Sequence, residues 1–180
     1  QAAEVRVALG YPDVYEIGMS NLALPILYTI LNRQAQVLAE RVFAPWTDME
    51  AAIRQASIPL LSLESKRPLS EFDIIGFSLG YELTYTNVLN MLDLAGIPVL
   101  AGDRDDSHPL IVAGGTCAFN PEPMADFIDL FAIGDGEELA AELVNTFRQC
   151  KREGCKKRET VSRLATIPGI YAPSLFDTDY

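Results

Sequence analysis

The sequence is poor in the residues from which metal and redox sites are usually built. Its 180 residues include three cysteines and a single histidine. Cys117, Cys150 and Cys155 are odd in number and lack the paired spacing of a zinc knuckle or an iron–sulfur loop. An odd count also disfavours a disulfide framework, which predicts a reducing, cytoplasmic setting. We therefore expect neither a metal site nor a catalytic residue in this chain.

Long hydrophobic runs are absent as well. The longest apolar window, 22–31, is interrupted by Pro25 and falls short of the roughly 20 residues that a membrane span needs. The chain does not open with a basic stretch, an apolar core and a small-residue cleavage site, so we expect no secretion signal. Together these absences predict a protein with no membrane partner.

The familiar nucleotide-binding motifs are missing too. No G-x-G-x-x-G follows the first apolar run, and no G-x-x-x-x-G-K-[ST] occurs. Ser78 stands where a phosphate-receiver domain would carry its acceptor aspartate. His108 has no ligand partner at i,i+4, so we interpret it as part of a solvated turn. Cys117 has no nearby histidine to activate it, so we interpret it as a small buried side chain.

Charge is distributed unevenly along the chain. The net charge is −11, yet residues 148–163 hold seven of the fourteen lysines and arginines. The acidic remainder repels phosphate backbones, which disfavours nucleic-acid binding by the domain. We interpret the basic window as a solvated helix end, with contact to a partner domain as an alternative. A further alternative is an RNA contact through Lys156, Lys157 and Arg158.

Apolar runs alternate with helix-period stretches, a pattern typical of parallel strands covered by helices. We predict an α/β fold, Rossmann-like, with a mainly parallel sheet of about five or six strands and helices on both faces. The strands are placed at 5–9, 37–43, 73–78, 97–100, 110–113 and 127–133. Residues 1–150 should form this domain, and 151–180 a basic segment and linker. The apolar stretch 167–173 has no obvious partner in the chain.

Four unusual loops follow predicted strands, at 11–20, 78–82, 114–123 and 134–138. In a doubly wound sheet the carboxyl ends of the strands lie along one edge, where ligands bind. Glycines in such loops permit either a sharp turn or the close approach of a ligand, and both interpretations stay open here.

Three segments carry a resemblance to a known family. They are the stretch 8–22, which contains D-V-Y-E-I-G, the run 81–92, and the double-glycine loop from Gly114 through Pro123. Together they resemble the N-terminal, cobalamin-binding-like domain of B12-binding-domain/radical SAM fusion proteins, over residues 4–175. The resemblance implies a Rossmann-like cobalamin-binding fold. The [4Fe–4S] cluster and S-adenosylmethionine would belong to a following barrel with a C-x-x-x-C-x-x-C loop, which this chain lacks.

The resemblance also implies a set of cofactor-binding residues. Tyr15 stands where mutase-type domains carry the histidine that binds cobalt, and a phenol with a pKa near 10 is a poor ligand. Cobalamin would therefore be bound base-off, without a histidine ligand. The positions that match the family's site are Asp13, Tyr15, Gly18, Ser78, Leu79, Gly114, Gly115, Thr116, Gly134, Gly136 and Glu137.

The function implied is that of an accessory domain of a radical SAM enzyme. The domain would present cobalamin, or a docking surface, to its own C-terminal radical SAM domain. The complete enzyme would be a radical SAM enzyme, for example a methyltransferase, whereas this fragment alone would have no turnover. The alternative is a non-enzymatic structural or interaction domain that has lost cobalamin binding.

Overall fold

The computed structural model describes residues 3–176, which form one six-stranded sheet with helices on both faces. The strands are β1 Val5–Tyr11, β2 Val37–Phe43, β3 Ile74–Ser78, β4 Leu110–Gly114, β5 Leu130–Ala132 and β6 Ile170–Tyr171. The helices are α1 Tyr15–Gly18, α2 Ala23–Asn32, α3 Thr47–Ala56, α4 Tyr85–Leu94, α5 Gly136–Glu153 and α6 Lys157–Leu164. Within these residues no helix has the length and hydrophobicity of a bilayer span.

The sheet has the strand order β2-β1-β3-β4-β5-β6. The first five strands pair in parallel, and only β6 runs antiparallel to its neighbour. Strands buried on both faces consist almost entirely of apolar residues, as β3 and β4 do here, because each face must pack against helices. The predicted α/β class with a mainly parallel sheet of about six strands is confirmed.

Two apolar cores lie on opposite faces of the sheet. One lies beneath α4, which contributes Val88, Met91 and Leu92, and α3 contacts it through Ile53. The other lies beneath α2, α5 and α6, with Leu31, Leu143 and Leu164 among its fully or nearly fully buried members. The sheet therefore has helices on both faces, as the alternating pattern predicted.

The predicted strand at 97–100 is not formed. Pro98 has no backbone N–H to donate, and the carbonyls of Pro98 and Val99 accept hydrogen bonds from the guanidinium of Arg104 at 2.9 and 3.0 Å. The buried side chain of Arg104 thus supplies the hydrogen-bond donors that a neighbouring strand would otherwise supply. This segment is a loop between α4 and β4.

The sixth strand comes instead from the stretch 167–173, for which we expected no partner. Ile170 and Tyr171 pair with Ala132 and Phe131. Gly169, at φ +90°, makes this possible, because a Cβ there would stand 2.7 Å from the carbonyl oxygen of Ile133. A two-residue strand has no alternation that a sequence pattern could reveal.

The basic window 148–163 is built into the fold. Helix α5 continues through residue 150 to Glu153, and α6 and β6 pack on the same core. Lys151 pairs with Asp73 and Arg152 pairs with Glu4, while Arg163 contacts Glu153 and Glu159. Lys156 and Arg158 are exposed, whereas Lys157 is half-buried. Residues 177–180 of the predicted segment 151–180, and residues 1–2 of the predicted domain, lie outside the described residues.

The buried carboxylate of Asp129 binds three groups at the amino edge of the sheet, where the parallel strands begin. The Oδ2 atom of Asp129 accepts a hydrogen bond from the backbone of Ile111 at 2.7 Å. Its Oδ1 atom lies 3.4 Å from Arg104 and 3.3 Å from Lys157. Burial lowers the pKa of both cations, and the negative charge of Asp129 opposes that shift. A single carboxylate thus compensates two buried positive charges.

We predict that Asp129→Asn strongly destabilises the fold, because it removes the carboxylate paired with both cations while keeping the size of the side chain. Breaking a buried ion pair from one side costs about 3 to 5 kcal/mol, which urea denaturation would measure. The matched control is Asp126→Asn in the preceding loop, where the carboxylate is exposed. A loss at Asp129 no larger than that at Asp126 would contradict the assignment.

Candidate functional site

Parallel pairing brings four loops to the same edge of the sheet. Strands β1, β3, β4 and β5 are neighbours and all end there, so the segments that follow them lie side by side. We refer to this side as the carboxyl edge. All eleven sequence-predicted site residues lie at the ends of these strands, in the loops that follow them, in the short helix α1 or in the first turn of α5. Ligands of open α/β sheets bind at this position.

Asp13 and Tyr81 form the central polar contact of the carboxyl edge. The hydroxyl of Tyr81 donates to Asp13 Oδ2 at 2.6 Å, and the backbone N–H of Val14 donates to Asp13 Oδ1 at 2.8 Å. The hydrogen bond to Asp13 is the main cause that raises the pKa of Tyr81 to about 12, so the phenol stays protonated at neutral pH. The contact ties the loop after β1 to the loop after β3. Tyr81 was not among the predicted site residues.

Tyr15 lies beside this pair but does not bond to it. Its ring packs edge-on against Phe43, with ring centroids 5.3 Å apart, and 47% of the residue remains exposed. Gly18 is buried against the ring of Phe43, since a Cβ at Gly18 would approach that ring to 2.4 Å. Gly18 therefore allows α1 to pack on β2, and it leaves Tyr15 facing solvent at the carboxyl edge.

Leu79, Gly115 and Thr116 join the loops after β3 and β4. The N–H of Leu79 donates to the carbonyl of Gly114 at 2.7 Å, and Thr116 Oγ1 donates to the carbonyl of Gly80 at 2.9 Å. Gly115 has φ +101°, and a Cβ there would stand 2.6 Å from the carbonyl oxygen of Leu79. These residues hold two loops in fixed relation, which is a structural role.

An apolar cleft opens between α2, α5 and the sheet, and we call it the α2–α5 cleft. Its volume is about 210 Å³. Six of the predicted site residues line it, namely Ser78, Gly114, Gly115, Gly134, Gly136 and Glu137. The rest of its wall is apolar side chains and Gly76, including Val7, Leu9, Leu24, Leu27, Leu31, Ile74, Val112, Ala140, Leu143 and Val144. Ser78 and Glu137 are the only polar side chains that line it within the described residues.

Gly76 accounts for the depth of the cleft. It lies in the middle of β3, paired with Leu9 on one side and Val112 on the other. A Cβ at Gly76 would meet no atom within 4 Å, so the missing side chain leaves open space. A glycine inside a strand often marks the close approach of a ligand or another backbone. In the sequence, Gly76 interrupts the apolar run 74–77. This interruption is the signal that could have identified Gly76 as a site residue.

The structure thus divides the predicted site residues into two groups. Six line the cleft, whereas Asp13, Tyr15, Gly18, Leu79 and Thr116 lie at the carboxyl edge without lining it. The apolar residues of α2 and α5 that complete the wall were not predicted as site residues. Their spacing is also that of an ordinary core-facing helix, so the sequence alone does not distinguish the two roles.

The carboxyl edge also exposes large apolar side chains. Leu22, Leu83 and Phe119 are 77%, 85% and 70% exposed, and they belong to the loops after β1, β3 and β4. Single exposed apolar residues are common on any protein. Three on neighbouring loops next to an apolar cleft are typical of a surface that can bind a ligand or a partner.

The histidine and the cysteines do not form a metal site. His108 precedes β4 at the amino edge, where its ring contacts Asp105. Cys117 is buried near the carboxyl edge, and the other two cysteines lie at the end of α5. Among residues 3–176, no group of three or more His, Cys, Asp or Glu residues is arranged to hold a metal ion.

A larger cavity of about 650 Å³ lies between the loops at the amino edge, α6 and the segment after β6. Its wall includes Arg104 and Lys157, whose charged groups are already directed at Asp129. Acidic side chains such as Asp105 and Asp126 surround them. The cavity therefore has no consistent charge, and its wall mixes charged with apolar side chains, which makes it a weaker ligand site than the α2–α5 cleft.

Comparison with known proteins agrees with this fold. The chain is similar to the radical S-adenosylmethionine methyltransferase TsrM from Kitasatospora setae, solved with a tryptophan substrate and an S-adenosylmethionine analogue bound. The TM-score is 0.55 at 17% identity, over 93% of this chain and 28% of that chain, which shows a shared fold. No curated protein matches the sequence. The family model of radical SAM proteins, N-terminal, matches residues 23–173. The chain therefore belongs to the family of N-terminal regions of radical SAM proteins.

Proposed function

We propose that this chain is an accessory domain that binds cobalamin at the carboxyl edge and presents it to a radical SAM domain. The observation that carries the proposal is the α2–α5 cleft, which opens directly beside the glycine-bearing loops after β3, β4 and β5. Family membership and the shared fold support the link to a radical SAM enzyme. The iron–sulfur cluster and S-adenosylmethionine would belong to the radical SAM domain.

The residues present fit the nucleotide end of cobalamin. An engineered apolar cavity of about 150 Å³ takes a benzene ring, so 210 Å³ leaves room for a fused bicyclic base. Because Gly76 has no side chain, the space between Leu9 and Val112 in the middle of the sheet face stays open. At the mouth of the cleft, Gly134 and Gly136 allow the backbone to come close to a bulky ligand, since a Cβ at Gly134 meets nothing and one at Gly136 stands 3.8 Å from Leu27.

The chain offers cobalt no imidazole. Its single histidine is His108, at the amino edge of the sheet, opposite the loops that would contact a corrin ring. The hydroxyl of Tyr81 donates a hydrogen bond to Asp13, which raises the pKa of Tyr81 to about 12 and keeps it a neutral phenol. The carboxylate of Asp13, which would orient a ligating histidine in related domains, is bonded to Tyr81 instead. We therefore propose a base-off form without a protein ligand, with Tyr15 packed beneath the ring.

The tasks of the protein in this proposal are binding and placement. Bound cobalamin would supply the group-transfer chemistry of its cobalt, in this setting methyl transfer to an unactivated carbon. The apolar cleft anchors one end of the cofactor and excludes water from it. Asp13 and Tyr81 hold the loops after β1 and β3 together, so that the surface facing the corrin has a fixed shape.

A second candidate is a docking domain that has kept the fold and lost the cofactor. The exposure of Leu22, Leu83 and Phe119 favours it, because these side chains would be covered equally well by a protein surface. In that case the same edge contacts the radical SAM domain directly. Corrinoid binding distinguishes the two candidates.

We predict that the chain binds cob(II)alamin and that its electron paramagnetic resonance spectrum lacks splitting from an axial nitrogen. Tyr15→His should introduce that splitting, because a neutral imidazole offers cobalt a basic nitrogen, whereas a protonated phenol is a weak oxygen ligand. Tyr15→Phe is the matched control, since it keeps the ring packed on Phe43 and adds no donor atom.

The outcomes separate the parts of this proposal. Binding by all three proteins without nitrogen splitting in the histidine variant would contradict the position of Tyr15 beneath cobalt. Absence of binding even at millimolar corrinoid would contradict the cobalamin proposal and favour the docking domain.

We also predict that this chain alone assembles no [4Fe–4S] cluster and cleaves no S-adenosylmethionine. Two of its three cysteines are buried, and Cys117 is separated in the fold from Cys150 and Cys155. Anaerobic reconstitution with iron and sulfide, followed by absorbance spectroscopy and chromatography for 5′-deoxyadenosine, would test this. Cluster formation with turnover would overturn the assignment as an accessory domain.

A further inference from the structure

Resting on the proposed cobalamin site, we infer that the α2–α5 cleft selects corrinoids by their lower base, preferring a benzimidazole to a purine. Natural cobamides share the corrin ring and differ in this base. The ring itself therefore cannot account for such a preference. Only the wall of the cleft would distinguish one base from another.

The deep wall of the cleft has no free hydrogen-bonding group. Its sheet side is formed by Leu9, Gly76 and Val112, whose backbones are paired with one another in the parallel ladder. Its helix side is formed by apolar residues of α2 and α5, among them Leu31, Leu143 and Val144. A ligand atom there can make van der Waals contacts but no hydrogen bonds.

The two polar side chains lie near the mouth. Ser78 is the last residue of β3 and pairs with Gly114, the last residue of β4. Glu137 is the second residue of α5. Both belong to the carboxyl edge, two or more residues along their elements from the level of Gly76 and Leu143. They can reach a ribose or an amide near the corrin, whereas a base inserted to the level of Gly76 lies beyond them.

This wall discriminates by desolvation. Dimethylbenzimidazole presents two methyl groups and a single unshared ring nitrogen, whereas adenine presents an amino group and several ring nitrogens. Each polar group that is buried without a partner forfeits its hydrogen bonds to water. An apolar pocket that offers no partner rejects a ligand carrying additional polar groups by a moderate factor, up to about a hundredfold. We expect the adenine-containing cobamide to bind about ten- to a hundredfold more weakly than cobalamin.

The test compares three corrinoids on the same chain by equilibrium titration, read from the change in corrin absorbance. They are cobalamin, its adenine-containing analogue, and cobinamide, which has no nucleotide. We expect cobalamin to bind more tightly than its adenine analogue. Cobinamide should bind no more tightly than cobalamin. Free dimethylbenzimidazole should also compete with cobalamin for the cleft but leave cobinamide binding unchanged.

A pair of variants locates the effect. Gly76→Val fills the open space in the middle of β3 with a side chain suited to a strand, and should weaken cobalamin binding at least about tenfold while sparing cobinamide. Gly102→Val is the control, because a Cβ there also meets no atom within 4 Å but the residue lies outside the cleft. Thermal unfolding of both variants would show that the fold is retained.

Failure of this inference differs from failure of the proposed function. Equal affinity for cobalamin and its adenine analogue would overturn base selection while leaving cobalamin binding in place. Equal loss of cobinamide and cobalamin in Gly76→Val would likewise overturn it, since the effect would not act through the base. Absence of binding by all three corrinoids would overturn the cobalamin site itself.

Discussion

Parallel hydrogen bonding among β1, β3, β4 and β5 is the constraint on which the rest of this structure depends. Because these neighbours run in the same direction, every loop that follows them emerges at one edge, although the first and last of these loops are more than a hundred residues apart in sequence. The contact between Asp13 and Tyr81 and the joint between Leu79 and Gly115 are only possible in that arrangement. The helices then cover both faces, and α2 and α5 close over the side on which the cleft lies.

The main elements could be predicted because they bury enough apolar surface to leave a pattern. Strands such as Ile74–Ser78 are apolar runs bounded by turn residues, and α5 repeats its apolar side chains at helical spacing. The errors fall where a few specific contacts decide the outcome. The loop at 97–100 is apolar enough for a strand, yet the guanidinium of Arg104 takes its carbonyls. The strand Ile170–Tyr171 exists because β5 offers an open edge to it.

The candidate site was predictable in part for the same reason. Glycines after strand ends indicate an edge with unusual loops, but not what each one does. Gly18 and Gly115 prove to be required by neighbouring groups, Phe43 and the carbonyl of Leu79 respectively, whereas Gly76 and Gly134 face open space. That distinction depends on which atoms the fold places around each glycine. Tyr81 opens the run 81–92 that carries the family resemblance, yet its role appears only when the fold brings it to Asp13 from a position 68 residues away.

The cleft behind Gly76 also has a volumetric consequence. Space that water does not fill in the native state is eliminated when the chain unfolds, so hydrostatic pressure shifts the equilibrium toward the denatured ensemble to a degree that scales with that space. A molecule seated between the two helices would occupy the compressible region and, by binding only the native state, would add its own stabilisation through mass action. The stability of this domain under pressure is thereby coupled to occupancy of the cleft by a bound molecule. This coupling requires no side chain to change position.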